Sequence, residues 1–524
     1  MNRFKKFVLN GLMLTAVSLV MRAVGVSFNV YISNTVGAEA MGLFTLISTV
    51  YGFGITLATS GVNLGATLLV SEALGEISSW GIKINSGKTP QVRAALASCV
   101  RYSLFFGLLS GFLLFFTAAP ISNNILKDAR CISSLRLLAF TLPPIALSSA
   151  LSGYFSAVRR VYKNALTQII EQLIKIVLCS ILLTFFFADD VESACLCVVV
   201  GGAIAELISF IFQLLCYLFE KQDTANYERK VASPALIGRK LRSIALPVAF
   251  STYLRSGLLT IEHILIPWGL EKSGASRSAS LAAYGTLQSM VFPIVFFPSA
   301  ILSSFAGLLV PEISQAIAEK KKSDLDRIIS NVFECALIFS IGTAGIMTFF
   351  SHELGSVIYP GTNAGIYIRM IAPLIPIMYL DTAVDAMLKG LGEQVYSMGV
   401  NIADSSLSVL LVFLLLPRLG IDGYIVTIYF AEILNAALSV TRLLTVSGIR
   451  PMLARRVMIP LVCVSFSCVA VKHLSFLPIF GAMSSLGELV ACILLTLFIY
   501  LSLLTLLGSL RPQKLRRGIS LMRA

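Results

Sequence analysis

The chain has 524 residues, of which 56% are hydrophobic and only 13% are charged, whereas soluble domains carry about 25% charged residues. This composition excludes a soluble globular protein and predicts an all-α integral membrane protein. The formal net charge of +14 is accounted for by orientation in a membrane and by attraction to anionic lipid headgroups, so nucleic-acid binding is the weaker interpretation.

The first apolar run covers residues 7–33. It is longer than the 7–15 residues of a signal-peptide core, and no small-residue cleavage site ends it. We therefore predict that this run stays in the protein as a transmembrane helix.

Apolar runs bounded by polar loops predict about fourteen membrane spans. Their approximate centres are Val20, Leu57, Phe106, Ile145, Leu178, Ile208, Arg255, Phe296, Ile341, Ile375, Leu407, Ile433, Ser465 and Phe498. Lysine and arginine concentrate in alternate loops, among them Lys83, Lys88 and Arg93 in one and Arg239, Lys240 and Arg242 in another. By the positive-inside rule, this asymmetry predicts that both termini are cytoplasmic.

Two spans carry an arginine near their centres. Arg255 shares one helical face with Ser251 and Glu262, at spacings of four and seven residues. The same frame occurs 233 residues earlier, where Ser18, Arg22, Ser27 and Asn29 match Ser251, Arg255, Thr260 and Glu262. A charge at membrane depth is expensive and by default faces a protein interior or a water-filled cavity.

Other matches show that the halves repeat in order. The second span ends L-L-V-S-E at Leu68–Glu72, and the eighth ends L-L-V-P-E at Leu308–Glu312. We predict two parallel six-helix repeats, 1–228 and 229–452, followed by two extra helices and a basic tail in 453–524. A duplicated bundle with facing polar stripes is the layout of a two-lobed, alternating-access transporter.

Two pairs of glycines are spaced four residues apart within spans. They are Gly61 with Gly65 and Gly107 with Gly111. Small residues at this spacing let two membrane helices approach closely, so we predict helix contacts at both pairs.

Acidic residues on three successive spans of the second half suggest coupling to Na⁺ or protons. Asp381, Asp404 and Glu432 supply the oxygen atoms that such a site needs. The alternative is a helix-face ion pair, since Asp381, Asp385 and Lys389 follow one another at four-residue spacing.

Three further charged residues lie in the fifth and sixth spans. The i,i+4 spacing of Glu171 and Lys175 predicts a structural ion pair. Glu206 is either a cavity carboxylate or a partner of Lys175. Neither a G-x-x-x-x-G-K loop nor an H-E-x-x-H motif occurs, so we expect no cofactor, no bound catalytic metal and no catalytic residues.

Two stretches of the first half resemble a known family. The run R-A-V-G-V-S-F-N-V-Y-I-S-N-T-V-G-A-E-A-M-G-L-F covers Arg22–Phe44, and A-T-S-G-V-N-L-G-A-T-L-L-V-S-E-A-L-G covers Ala58–Gly75. Both are similar to polysaccharide-biosynthesis membrane proteins related to stage V sporulation protein B. That family belongs to the multidrug/oligosaccharidyl-lipid/polysaccharide exporter superfamily, with the lipid II flippase and the multidrug and toxic compound extrusion antiporters.

The resemblance implies a flippase that moves an undecaprenyl-pyrophosphate-linked glycan across the bacterial cytoplasmic membrane, with lobes around a cationic cavity. Arg22 matches a cavity arginine of the lipid II flippase. The second basic residue that the family usually carries is replaced here by Phe28 and Asn29, which weakens the case for lipid II as cargo. Arg255 is supported by the internal repeat alone.

Together these patterns predict that a substrate cavity is lined by Arg22, Arg255, Asn29, Glu262, Ser18 and Ser251. A guanidinium can donate two parallel hydrogen bonds to a pyrophosphate. The structural alternative is an internal ion pair between Arg255 and Glu262. We expect a monomer whose partners are a lipid-linked glycan and membrane lipids, with no nucleic acid.

Three rival functions stay open. One is a cation-coupled multidrug antiporter of the same fold, which would favour a cavity of carboxylates and aromatics. Another is a membrane-embedded glycan polymerase or ligase, which would need a sizeable outer loop with catalytic groups. The third is a transport-inactive scaffold in an envelope assembly complex.

Overall fold

The computed structural model describes residues 3–79, 88–186, 190–220, 233–318, 322–448, 453–474 and 484–508. Their side chains are described from Leu19 onwards, except at 77–79, 234, 304–308, 311, 315–316, 318, 324 and 453–455. Nearly all of these residues are helical, and no β-strand occurs among them. The predicted all-α membrane fold is confirmed.

Backbone contacts divide the chain into two compact units. The amino-terminal unit is Glu39–Pro267, and the carboxy-terminal unit combines Met1–Ala38 with Trp268–Ala524. The sequence repeat predicts divisions at residues 228 and 452. Units defined by backbone contacts do not test a sequence repeat, so these divisions stay predictions.

Among the described residues, the amino-terminal unit contains the end of one long helix, most of another and the six α-helices between them. They are α1 (Arg3–Thr59), α2 (Val62–Ser79), α3 (Pro90–Pro120), α4 (Cys131–Ala139), α5 (Leu142–Ala157), α6 (Val161–Phe186), α7 (Val191–Leu218) and α8 (Pro234–Lys272). A π-helical turn, Ile121–Leu126, follows α3.

Among the described residues, the carboxy-terminal unit contains the start of α1, the end of α8 and eleven more α-helices. They are α9 (Arg277–Gly285), α10 (Phe292–Phe296), α11 (Ser299–Ala318), α12 (Lys322–Phe349), α13 (Ser351–Ile358), α14 (Ala364–Ile371), α15 (Ile375–Gly390), α16 (Gln394–Leu419), α17 (Ile421–Ser447), α18 (Leu453–Leu474) and α19 (Ser485–Leu506). A π-helical turn, Thr286–Val291, joins α9 to α10.

Helix α1 is far longer than one membrane crossing. Its 57 residues would extend about 85 Å at 1.5 Å per residue, against a hydrocarbon core of about 30 Å. The helix is interrupted at Gly37, whose φ of 83° and ψ of 170° are not helical and favour a residue without a Cβ atom. The interruption divides α1 between the two predicted spans centred on Val20 and Leu57.

Twelve helical stretches of the described residues are long and apolar enough to cross a membrane. The count is 13 if the pair α4 and α5, bent by 44°, forms one span. The prediction of about fourteen is slightly higher because Leu19–Glu76, 58 residues long, counts as one stretch although it contains two predicted spans.

Glycines bring helices of the amino-terminal unit into close contact. A Cβ atom on Gly107 would lie 2.9 Å from the Ala146 Cβ atom, and one on Gly111 would lie 2.8 Å from the Ala139 carbonyl oxygen. Gly61 and Gly65 approach α8 equally closely. Such distances leave no room for a methyl group, so the predicted helix contacts at both glycine pairs are confirmed.

Each unit has its own buried core. In the amino-terminal unit, α2, α3, α5 and α8 meet around Tyr154 and Phe155, which are fully buried. In the carboxy-terminal unit, α11, α12, α15 and α17 meet around Phe333 and Met387. The last two helices pack beside α12, since Gly342 lies against Tyr500 of α19 and Gly345 against Val464 of α18.

Candidate functional site

Arg22 lies half-buried on α1 within the carboxy-terminal unit. Its Nη2 atom donates a 2.9 Å hydrogen bond to the carbonyl oxygen of Phe296, the last residue of α10. The hydroxyl of Ser299 donates to the same oxygen at 2.7 Å. Because a helix end leaves carbonyl groups without intrahelical donors, Arg22 helps to satisfy the break between α10 and α11.

Asn29 lies two turns further along α1. Its Nδ2 atom donates to the carbonyl oxygen of Ser289, inside the π-helical turn that precedes α10. The polar face of α1 therefore contacts one irregular helical stretch at two places. The sequence pattern showed this polar face but not which helix it contacts.

The other predicted cavity residues lie on α8 in the amino-terminal unit. Arg255 is exposed, and it forms neither a hydrogen bond nor an ion pair with any residue that the structure describes. Glu262 is half-buried, and the Ser251 hydroxyl donates to the carbonyl oxygen of Val248 at 2.9 Å. The structure shows no ion pair between Arg255 and Glu262, although Glu262 has another partner, and a structural role for Arg255 stays a prediction. The side chain of Ser18 lies outside the described residues.

The predicted coupling carboxylates occupy three neighbouring helices of the carboxy-terminal unit. Asp381 on α15, Asp404 on α16 and Glu432 on α17 are each half-buried. Within the described part of the chain, no three Asp, Glu, His or Cys side chains come close enough to hold a metal ion together. The three carboxylates are therefore not gathered into one site.

Asp385 has the partner that its spacing predicted. It accepts a 2.6 Å hydrogen bond from the Nζ atom of Lys389, four residues on, and a further bond from the Ser397 hydroxyl. The neighbouring Asp381 has a buried Oδ1 atom with no hydrogen-bond partner among the described residues. Of the two, Asp381 is the carboxylate with spare capacity for a proton or a cation.

A polar cavity of about 380 Å³ lies between α5, α6 and α7 in the amino-terminal unit. Two carboxylates line it. Glu206 accepts a 2.5 Å hydrogen bond from the Tyr51 hydroxyl, and Glu171 accepts one of 3.0 Å from Ser209. Amides and hydroxyls supply the rest of its polar lining, including Asn63, Ser148, Ser149, Ser152, Asn164, Thr167, Gln168 and Gln213.

Polar residues recur at helical spacing on two of the helices around this cavity. Asn164, Gln168 and Glu171 recur at helical spacing on α6, as do Glu206, Ser209 and Gln213 on α7. The predicted ion pair between Glu171 and Lys175 does not form among the described residues. Glu206 is a cavity carboxylate, which was one of its two predicted roles.

A bundle of helices long and apolar enough to cross a membrane, with a cavity lined by carboxylates and amides, is typical of membrane transporters. The family model for "Polysaccharide biosynthesis protein" matches residues 7–316, more than half of the chain, and the chain belongs to this family. A second family model, MatE, matches residues 274–414.

Two relatives from Bacillus subtilis (strain 168) are similar over most of their length. Stage V sporulation protein B is 24% identical over 518 residues, covering 98% of this chain and 97% of the relative. Lipid II flippase MurJ is 22% identical over 464 residues, covering 82% and 81%.

Solved structures show the same fold. A lipid II flippase MurJ in an inward closed conformation matches with a TM-score of 0.65 and 13% identity, covering 95% of this chain and 98% of its own. An inward-facing MATE family transporter of the MOP superfamily matches with a TM-score of 0.61 and 14% identity, covering 83% and 99%. The chain is thus a multi-pass membrane transporter of the polysaccharide biosynthesis family and not an enzyme.

Proposed function

We propose that this protein is a flippase that moves an undecaprenyl-pyrophosphate-linked oligosaccharide or peptidoglycan precursor across the bacterial cytoplasmic membrane by alternating access. Membership of the polysaccharide biosynthesis family supports the substrate class. The names of two relatives, a sporulation protein and a lipid II flippase, support a role in building the cell wall or the spore envelope.

The observation that carries the proposal is the state of Arg22. Its guanidinium lies half-buried inside an apolar span, and its hydrogen bond within the described structure goes to a neutral carbonyl. Because a guanidinium has five N–H donors and a fixed positive charge, most of its hydrogen-bonding capacity is left for an anionic ligand. A pyrophosphate offers the oxygen pairs that a guanidinium binds with two parallel bonds.

Arg255 and its neighbours Ser251 and Glu262 are proposed to contact the same cargo. Arg255 forms no ion pair among the described residues. Its charge is therefore available to an anionic ligand. Asn29 and Ser18 complete the proposed set.

The test is a flipping assay with the purified chain in liposomes, using lipid II and a simpler undecaprenyl-pyrophosphate sugar. Arg22→Ala is expected to abolish translocation and Arg22→Lys to reduce it, because lysine keeps the charge but loses the planar fork. Ser299→Ala is the matched control, since it removes the other donor to the Phe296 carbonyl oxygen without removing a charge. If Ser299→Ala lost transport as completely as Arg22→Ala, Arg22 would be a helix-capping residue and the proposal would fail at this position.

A second candidate function is favoured by the polar cavity of the amino-terminal unit. Glu171 and Glu206 provide the carboxylates that a cation-coupled antiporter would use, and the MatE model matches part of the chain. Uptake of a cationic dye into the same liposomes, driven by a proton or Na⁺ gradient, would identify this function in the absence of flipping.

Three further properties belong to the proposal. Both termini are cytoplasmic, the protein acts as a monomer, and Na⁺ or proton coupling passes through Asp381, Asp404 or Glu432. The half-buried positions of these carboxylates in the carboxy-terminal unit support the last property.

A further inference from the structure

A groove of about 850 Å³ runs between α3, α5 and α7 in the amino-terminal unit. Its walls are almost entirely apolar and include Ala97, Val100, Leu147, Phe210 and Leu214. A groove of this size and lining accepts a hydrocarbon chain by burying apolar surface on both partners.

The groove also contains two arginines on one face of α3. Arg93 and Arg101 are eight residues apart and both line it, which separates their Cα atoms by about 12 Å along the helix. The Arg101 side chain folds back along α3, since its Nε atom donates to Ala97 O at 3.3 Å and its Nη2 atom lies 3.5 Å from Ser98 Oγ. Long cationic side chains in membrane helices turn in this way towards the headgroup region.

Positive charge accumulates at this end of the groove. The pKa of Lys88 is lowered, first by burial and then by the charge of Arg93. The Lys88 Nζ atom lies 4.3 Å from the ring centre of Tyr217, another groove residue. Of the ion pairs between described residues, none includes Arg93 or Arg101, so these two side chains are available to an anionic ligand.

We propose that this groove binds an anionic diacyl phospholipid, with an acyl chain against the apolar walls and the headgroup phosphate on Arg93 and Arg101. Basic pockets between membrane helices on the cytoplasmic side are the sites at which anionic headgroups bind, and the positive-inside pattern places Arg93 on that side. The lipid is not the transported cargo, and this site is independent of the proposed flippase activity.

The test uses native mass spectrometry of the full chain with phosphatidylglycerol and phosphatidylcholine as probes. We expect tight binding of one phosphatidylglycerol and weak binding of phosphatidylcholine. The double variant Arg93→Gln/Arg101→Gln is expected to weaken phosphatidylglycerol binding at least about tenfold, because two charge-assisted hydrogen bonds are lost.

Arg242→Gln is the matched control. Arg242 is also exposed in the amino-terminal unit, and its Nε atom makes the same 3.3 Å bond to the carbonyl oxygen four residues earlier, but it does not line the groove. A loss of binding in Arg242→Gln equal to that in the double variant would mean that general surface charge holds the lipid, and it would overturn the site.

A second variant tests the groove independently, in case the double variant does not fold. Ala97→Trp fills the groove and keeps both arginines, and we expect it to lose phosphatidylglycerol as well. Unchanged binding in both variants would overturn the proposal. Displacement of bound phosphatidylglycerol by an equimolar amount of undecaprenyl phosphate would also overturn it, by assigning the groove to the carrier lipid.

Discussion

At the scale of single residues, Arg22 and Arg255 match in the sequence repeat but not in their surroundings. Arg22 donates to the carbonyl oxygen at the end of α10, whereas Arg255 has no hydrogen-bond or ion-pair partner among the described residues. Arg22 is therefore a half-buried charge with a neutral partner, and Arg255 is an exposed charge without a partner among the described residues. The two residues need different mutational tests.

The test at Arg255 measures whether this residue serves only to neutralise the charge of Glu262. We expect Arg255→Ala to impair flipping severely and Arg255→Ala/Glu262→Ala to give no rescue, because no ion pair joins the two side chains in the structure. Initial flipping rates in liposomes, normalised to inserted protein, measure both. Recovery of wild-type rates in the double variant would show that Arg255 only neutralises Glu262.

Asp381 is the residue at which cation coupling is tested most directly. Its Oδ1 atom is buried with no hydrogen-bond partner among the described residues, so Asp381→Asn removes a carboxylate that can take up a proton or cation. We expect gradient-driven transport to fall to the rate seen without a gradient. Asp385→Asn is the matched comparison, because Asp385 is already paired with Lys389 and its loss should leave the response to the gradient in place.

At the scale of helices, the end of α7 is held by a buried carboxylate. The Glu220 side chain is only 1% exposed, and it pairs with Arg160 and Lys163 while accepting a 2.6 Å hydrogen bond from Tyr154. Lys163 and Lys88 in turn donate to the last carbonyl groups of α7, at Cys216 and Leu218. Cations at the carboxyl end of a helix are stabilising there, and Glu220 is the counter-charge that lets them be buried.

Removing this counter-charge should destabilise the amino-terminal unit. We expect Glu220→Ala to lower the free energy of unfolding by about 3–5 kcal/mol, since it leaves two cations near each other without an anion. Glu72→Ala is the control. Glu72 pairs with Lys240 at the surface, with side chains 44% and 49% exposed, and such a pair contributes at most about 1 kcal/mol. Thermal unfolding followed by size-exclusion chromatography compares the two, and equal shifts would contradict the prediction.

Close helix packing gives a second test at this scale. Gly107→Ala would place a methyl group 2.9 Å from both the Ala146 Cβ atom and the Pro143 Cα atom, so α3 and α5 must separate at a cost of about 1–3 kcal/mol. Gly52→Ala is the control, because no atom lies within 4 Å of a Cβ atom there. The same unfolding assay should show a lower Tm for Gly107→Ala but not for Gly52→Ala.

At the scale of the whole molecule, the sequence predicted the class and the family but not the local irregularities. Apolar runs of about 20 residues have few alternatives to a membrane helix, which is why the all-α fold and the approximate span number could be predicted. The breaks at Gly37 and Phe296 could not, because glycine and proline are tolerated throughout membrane helices. The polar cavity was not predicted because its residues come from separate spans, none of which contributes more than four of its polar positions.

Topology is the prediction that belongs to the whole chain. If both termini are cytoplasmic, as proposed, the connection between α13 and α14, which includes Thr362, faces the outside. A reporter that is active only outside the cytoplasm, fused after Thr362, is expected to be active, and the same reporter fused in the 221–232 segment is expected to be silent. The opposite pattern would invert the whole arrangement.

The π-helical turn Thr286–Val291 makes one part of this chain tolerant of a length change. A π turn bonds each N–H to the carbonyl group five residues back instead of four, so it accommodates one residue more than an α turn. Deleting one residue there should convert the turn to α-helix and leave α9 and α10 facing as they do now. The same deletion inside α9 would rotate everything on one side of it by about 100°. We therefore expect homologous chains to differ in length by one residue at this turn while keeping both flanking helices in phase.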